Sequence, residues 1–588
     1  MSKPDSILDR LIALYGKPVG MAAFERLQGL MEHYRNPLSA SGIENRGGLS
    51  QRDAILITYG DQVLEAGRSP LRTLAEFCKD RLSDLVSTIH ILPFYPYTSD
   101  DGFSVVDYKT VNPDLGTWED LGNLGQSYRL MFDAVINHIS AQSAWFKAFL
   151  NNDLPYSQYF IEVNKDVDLS QVVRPRALPL LTEFMTLAGE KAVWTTFSAD
   201  QVDINYQNPD VLLDMVDVLL FYAARGAQFI RLDAIAYLWK EVGTSCIHLP
   251  QTHRVIQLFR AILDDIAAQV ILITETNVPH RDNISYFGNG ENEAQLVYNF
   301  ALPPLVLHSL QTGDVSILSD WARSLSLSSS RTTFFNFLAS HDGIGLNPAR
   351  GILGDEQING LVEKILAHGG LISYKHNPDG SRSPYELNIN YFDALNDANG
   401  LESEEIQINR FMVAQAIMLA LVGVPGIYFH SLFGSRGWQE GVTLHGHNRA
   451  INRQKLERGG LERSLNDSDS RPYRIFHRFS QLLQARSRCS AFHPNGGQRV
   501  LNYGEGIFAL LRSSIDHKEH VLCLHNVTDL PQDGIIEQEN LPLGTGQKPV
   551  DITTGLELTY PGTTPSQSRN TRNTIRLSPY QVMWLEGQ

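Results

Sequence analysis

Eight short apolar runs recur between residues 53 and 431, and they constrain the fold more than any other feature of the chain. They read DAILITYGD, STIHILPFYP, RLMFDAVINH, QFIRLDAI, QVILITETN, AQLVYNFALP, TTFFNFLASHD and VPGIYFHS. Helix-like segments such as VLLDMVDVLLFYAARG and HRVIQLFRAILDDIAAQV lie between most of them. Strand alternating with helix implies a parallel sheet, and eight repeats predict an α/β fold of the (β/α)8 TIM-barrel type. Nearly every run starts apolar and ends polar, at Asp61, His138, Asp233, Glu275, His341 and Asp342. Barrel enzymes carry their chemistry at the C-terminal ends of the strands, so this polarity places a pocket there.

The catalytic barrel is expected to comprise residues 51–138, 208–342 and 401–489. Two connections exceed what a βα loop needs, and both are expected to be inserted subdomains, at 139–207 and 343–400. Residues 1–50 read as a helical extension, with Ile7, Leu8, Leu11 and Ile12 at helical spacing as packing residues. From 490 to 588 the pattern turns to short alternating runs, which predict an antiparallel β domain.

A chain of 588 residues with a formal net charge of −16 lacks the basic face that nucleic-acid or anionic-membrane binding needs. No apolar run is long enough for a membrane span, and MSKPDSILDRLIALYG lacks signal-peptide features. Four scattered cysteines, Cys78, Cys246, Cys489 and Cys523, form no CxxC and suit a reducing cytoplasm. The expected protein is cytoplasmic, a monomer or homodimer acting on small molecules. HGH at 445–447 has no acidic or cysteine partner at a ligand spacing, so it reads as loop packing and no metal is expected.

FIRLDAIAY, residues 229–237, puts Arg231 and Asp233 on one face of an apolar strand. A charged pair there is costly unless the strand end opens into a pocket, and Arg231 would favour the ionised carboxylate. Asp233, Glu275 and Asp342 then stand on three strand ends that barrel closure gathers around one hollow. Retaining glycosyl transfer needs a carboxylate nucleophile and a second carboxyl that shuttles the proton. Asp233 suits the first role. Glu275 suits the second, its pKa raised by like charges nearby. Asp342 could bind sugar hydroxyls and stabilise positive charge developing on the ring.

The segments DAVINH, IRLDAI, ILITETN and LASHDG resemble the four signature regions of the α-amylase family, from about residue 50 to the C-terminus. The resemblance implies Asp233 as nucleophile, Glu275 as acid/base and Asp342 as transition-state stabiliser. It also implies a glucose site lined by Asp61, His138, Arg231, His341 and Arg449, with Phe103, Phe197 and Tyr108 as further candidates.

ILPFYPYTSDDGF, VVRPRALPLLTEF, GTSCIHL, FALPPLVLHSL and SHDGIGL are similar to the sucrose-phosphorylase subfamily. A phosphorylase must seat phosphate where a hydrolase admits water, and Arg174 and Arg176 can supply bidentate contacts to it. By resemblance Arg176 is the phosphate contact and Tyr385 its partner. Where sucrose phosphorylases close GFSVVDY with histidine, this chain has Tyr108. With the N-terminal extension and KHNPDGSRSPYELN, this departure resembles the subfamily's glucosylglycerate phosphorylases. Their acceptor carries a carboxylate, for which Arg382 is the first candidate cation and Lys375 or His376 the second. Sucrose, sucrose 6′-phosphate or glucosylglycerol could replace that substrate. A hydrolytic α-glucosidase and a non-catalytic scaffold are the other classes, the last disfavoured by the intact acid triad. The chemistry needs no cofactor, because Asp233 carries the sugar between half-reactions.

Overall fold

The computed structural model describes residues 6–40, 48–176, 178–377, 380–536, 549–558 and 573–587. All eight apolar runs become strands of one closed parallel barrel. They are β1 (Ile55–Thr58), β2 (Thr88–Ile91), β3 (Arg129–Ala134), β4 (Ala227–Leu232), β5 (Ile271–Thr274), β6 (Leu296–Tyr298), β7 (Thr333–Phe337) and β8 (Val424–Tyr428). They close in sequence order, β8 pairing with β1 through Ile55↔Gly426. Such strands are covered on both faces, which is why the runs read as continuous apolar stretches rather than alternating ones. Ile55, Leu56 and Ile57 are all buried.

Among the described residues, two α-helices precede the barrel. α1 (Ile7–Tyr15) starts at a capping box in which Ser6 and Asp9 satisfy each other's backbone N–H groups. α2 (Lys17–Ala40) follows after Gly16, and the two lie so close that a Cβ on Gly20 would sit 2.7 Å from Ile12 Cα. The pair fastens to the barrel's outer helices through polar contacts. Tyr34 Oη donates to Asp217 at 2.6 Å, Tyr15 Oη donates to the Tyr206 carbonyl at 2.9 Å, and Arg26 pairs with Asp210.

Two excursions shape the mouth of the barrel. After β3 the chain forms an antiparallel pair, His138–Ser140 with Gln201–Asp203, and a hairpin of Leu181–Thr186 with Gly189–Trp194. After β7 it forms a three-stranded sheet in the order Ile344–Gly345, Arg382–Asn388, Leu371–His376. The last strands form a six-stranded antiparallel sheet that includes Gly497–Asn502, Ile507–Ser513 and His520–Asn526. Buried Arg512 ties this region to the barrel, its Nη1 donating to the Ala420 carbonyl at 2.7 Å. All four cysteines are buried and unpaired. No helix among the described residues is long and apolar enough to cross a membrane.

Candidate active site

The structure brings Asp233, Glu275 and Asp342 to one narrow inner cavity of about 70 Å³ at the C-terminal ends of β4, β5 and β7. Local backbone geometry aims them. Ala234, just past Asp233, is left-handed at φ 49°, and the turn points its N–H at Glu275 Oε2, 2.9 Å away. Strained residues of this kind persist where surrounding structure holds them, and they gather at functional sites.

One guanidinium serves both Asp233 and Glu275. Arg231 Nη1 lies 2.9 Å from Asp233 Oδ1, and its Nη2 lies 4.0 Å from Glu275 Oε2. Arg231 does not itself line the cavity; it is buried beneath it, paired also with Asp133, its neighbour in the β3–β4 register. His90 Nε2 braces Asp133 from the other side at 2.7 Å. Dividing Arg231 between carboxylates corrects the simple expectation that it holds Asp233 ionised. Burial is the first effect on both acids and pushes them up, with Asp233 reaching about 8; Arg231 opposes this, and the neighbouring carboxylates add to it. The two acids titrate as a coupled pair whose charged forms burial disfavours. Arg231 makes the closer contact with Asp233, and so opposes the effect of burial more strongly there than at Glu275.

Asp342 is the opposite case. Burial would raise it, but Arg449, and after it Arg453 and Arg231, hold it down at about 2. Arg449 Nη1 lies 2.6 Å from Asp342 Oδ1. His138 and His341 are both neutral, because burial lowers them to about 4 and about 3. The Nε2–H of His138 donates to the Phe103 carbonyl at 2.9 Å. The Phe103 ring stacks on His341 with centroids 4.8 Å apart, and Phe197 packs 5.2 Å from His138. These four side chains all line the inner cavity.

A buried ammonium braces this wall. Lys240 Nζ lies 2.6 Å from Asp203 Oδ2 and 2.8 Å from Asn137 Oδ1. Asp203 also accepts from Thr196 N at 2.6 Å and Asn137 Nδ2 at 3.0 Å. The knot joins the end of β3, the first excursion and the segment after β4, directly behind His138.

An outer cavity of about 640 Å³ opens beyond the inner one, and Asp100, Pro175, Arg176, Gln201, Tyr385 and Arg449 belong to both. Arg176 lies over the Phe197 ring at 5.6 Å and pairs with Asp100 at 2.9 Å. Arg382 lines the outer cavity alone and, among the described residues, carries no ion pair. A larger groove of about 890 Å³ runs between α1–α2 and the Pro250–Ile266 helix, far from the triad. Its Arg35 and Arg331 are matched by Glu32, Asp265 and Asp264, so it offers no comparable chemistry.

Several anticipated residues stand elsewhere. Asp61 lines neither cavity and pairs with Lys455 Nζ at 2.6 Å. Strand β1 ends three residues before it, and the chain has turned toward Lys455 by that point. Tyr108 is buried behind the site, its hydroxyl donating to the His138 carbonyl at 2.9 Å, so it supports the wall without facing the hollow. Arg174 turns away and donates to the Leu178 carbonyl. Lys375 is held by Asn347 Oδ1 at 3.0 Å, outside both linings. The side chain of His376 lies outside the described residues. His447, read as loop packing, lies on the outer cavity wall.

Sequence reading missed Asp100, Gln201, Glu386 and Lys240. Asp100, Asp101 and Gly102 are three consecutive left-handed residues (φ 52°, 47° and 111°), which swing the Asp100 carboxylate into the mouth. A Cβ on Gly102 would come within 2.5 Å of the Pro93 carbonyl, so only glycine fits there. The adjacent acids before glycine in TSDDGF were a readable sign of such a turn.

Comparison with known proteins supports the barrel fold. Residues 81–345 match the model of the α-amylase catalytic domain. A glucosylglycerate phosphorylase of Spirochaeta thermophila is 49% identical over 100% of this chain and 99% of its own length. One from Escherichia coli is 43% identical over 99% of each. Among solved structures, a sucrose 6F-phosphate phosphorylase from Thermoanaerobacter thermosaccharolyticum superposes with a TM-score of 0.71 at 23% identity, covering 82% of this chain and 95% of that one. The chain belongs to the sucrose-phosphorylase subfamily of the α-amylase family, glycoside hydrolase family 13.

Proposed function

We propose that this enzyme is a retaining phosphorylase that transfers glucose from 2-O-α-glucosylglycerate to phosphate, giving α-D-glucose 1-phosphate and D-glycerate. The full-length match to relatives named glucosylglycerate phosphorylase carries the reading. Three acids on one hollow, opening into a cavity with arginines at its wall, support it.

In the first half-reaction an Asp233 oxygen attacks the anomeric carbon. The glycosidic C–O bond breaks, and Glu275 gives its proton to the departing glycerate oxygen. Asp342, held charged by Arg449, stabilises the positive charge on the ring. In the second, a phosphate oxygen attacks the same carbon, Asp233 leaves, and Glu275 recovers a proton from phosphate. Two inversions give retention. Arg176 and Tyr385 guide the phosphate, and the charge of Arg382 receives the glycerate carboxylate. His138, His341, Phe103 and Phe197 hold the glucose ring, and Asp100 joins them through its place on the inner lining. Action in the cytoplasm, as a monomer or homodimer, belongs to the same reading.

An acceptor panel tests it. Glucose 1-phosphate is supplied with glycerate, glycerol, fructose or fructose 6-phosphate, and released orthophosphate is measured. Glycerate should be preferred. A wide preference for fructose would overturn the acceptor assignment, and equal glucose release with and without phosphate would point to a hydrolase.

A further inference from the structure

Glu386 immediately follows Tyr385 on the strand Arg382–Asn388, is fully buried, and touches the wall of the outer cavity. Its two oxygens take a bidentate grip on Arg449, Oε1 from Nε at 3.0 Å and Oε2 from Nη2 at 2.7 Å. The remaining edge of the same guanidinium faces Asp342 at 2.6 Å. Arg449 is thus spanned by two carboxylates, although it lies on the surface that an incoming anion must meet. Backbone packing fixes this arrangement. Glu386 pairs with Gly345 across the sheet, and a Cβ on Gly343 would meet Glu386 Cγ at 2.8 Å.

We propose that Glu386 is a positioning and specificity residue that reserves Arg449 for Asp342. It keeps Arg449 from acting as an anion trap, and so leaves phosphate and an anionic acceptor to Arg176 and Arg382. A planar guanidinium matches the oxygens of phosphate well, and a free one in a partly enclosed wall would compete for it. Anion held there would be drawn off the line of attack, and Asp342 would lose part of its partner. A buried carboxylate in the wall also biases the cavity against anions that approach anywhere else.

The acceptor half of the proposal rests on the function proposed above, whereas the phosphate half does not. The test is therefore Glu386→Gln, assayed with phosphate, glycerate and glycerol, using orthophosphate release or uptake. The amide keeps the shape but accepts only one of the two N–H bonds. KM for phosphate is expected to fall about fivefold and kcat to fall with it, while KM for glycerol moves less than about twofold, as loss of one nearby charge implies. If Glu386→Gln does not fold, Glu386→Asp loosens the same grip and should lower the phosphate KM about twofold. A rise in KM shared by phosphate and glycerol, or an unchanged phosphate KM, would reduce Glu386 to a structural strut and overturn the proposal. A selective effect on phosphate with none on glycerate would sustain it and instead count against the acceptor assignment.

Discussion

The inner and outer cavities share six side chains yet are built on different plans. Around the inner cavity the charges are satisfied in a closed circuit: Asp133–Arg231–Asp233 on one side, Asp342–Arg449–Glu386 on the other, and Asn137–Lys240–Asp203 behind. Asp133, Arg231, Asp233 and Asp342 stand at barrel strand ends, while Arg449, Glu386, Lys240 and Asp203 reach in from other segments. The outer cavity is walled by loops and a hairpin, and Arg382 is left without an ion pair among the described residues. Chemistry common to many glucosides is thus held on rigid elements, and the choice of partner is left to a wall that can vary.

The contrast can be tested in steps. Asp233→Asn should cost the most, at least about 10⁴-fold in both reaction directions, since no covalent intermediate can form. Phosphate release from glucose 1-phosphate at an undiminished rate would remove Asp233 from its role. Lys240→Met would strike the inner circuit without touching substrate. It strands the buried Asp203 carboxylate, and denaturant unfolding should show a loss of about 3–5 kcal/mol. Adding Asp203→Asn should recover part of that loss; no recovery would mean that the ammonium is not balancing that charge.

Smaller effects are expected outside. Arg382→Ala should raise KM for glycerate about tenfold and leave glycerol nearly unchanged, since one charge-assisted hydrogen bond is removed. Equal losses for the two acceptors would cancel its assigned part. Arg174→Ala should change the steady-state constants by less than about twofold, because its lost bond to the Leu178 carbonyl is a partly exposed one. A large rise in phosphate KM in that variant would return Arg174 to the site and erase the boundary drawn between the two arginines.

The same divide governs what the sequence could tell. Barrel strands and the triad were legible because a parallel strand, buried along its length, can end on an acid only where the barrel opens to a pocket. Asp61 obeys that pattern too, yet its carboxylate pairs with Lys455, and the pattern carries no information about the turn that makes that pairing. Asp100 was invisible for the converse reason: it arrives through three left-handed residues beyond β2, not by strand alternation. Lys240 and Glu386 matter through partners 37 and 63 residues away in the chain, Asp203 and Arg449, and no local period marks such pairs. Arg174 and Arg176 differ by two positions in one loop, yet only the second faces the cavity. Loop direction was the missing quantity.

The sheet after β7 has a practical consequence. Ile344 and Gly345, two and three positions beyond Asp342, are in register with Leu387 and Glu386 on the strand that also bears Arg382 and Tyr385. Transplanting that hairpin from a relative with another substrate would drag on the peptide that seats Asp342. Chimeras joined inside 343–388 should therefore lose turnover together with preference, whereas junctions placed outside it would let the two traits be exchanged as one cassette.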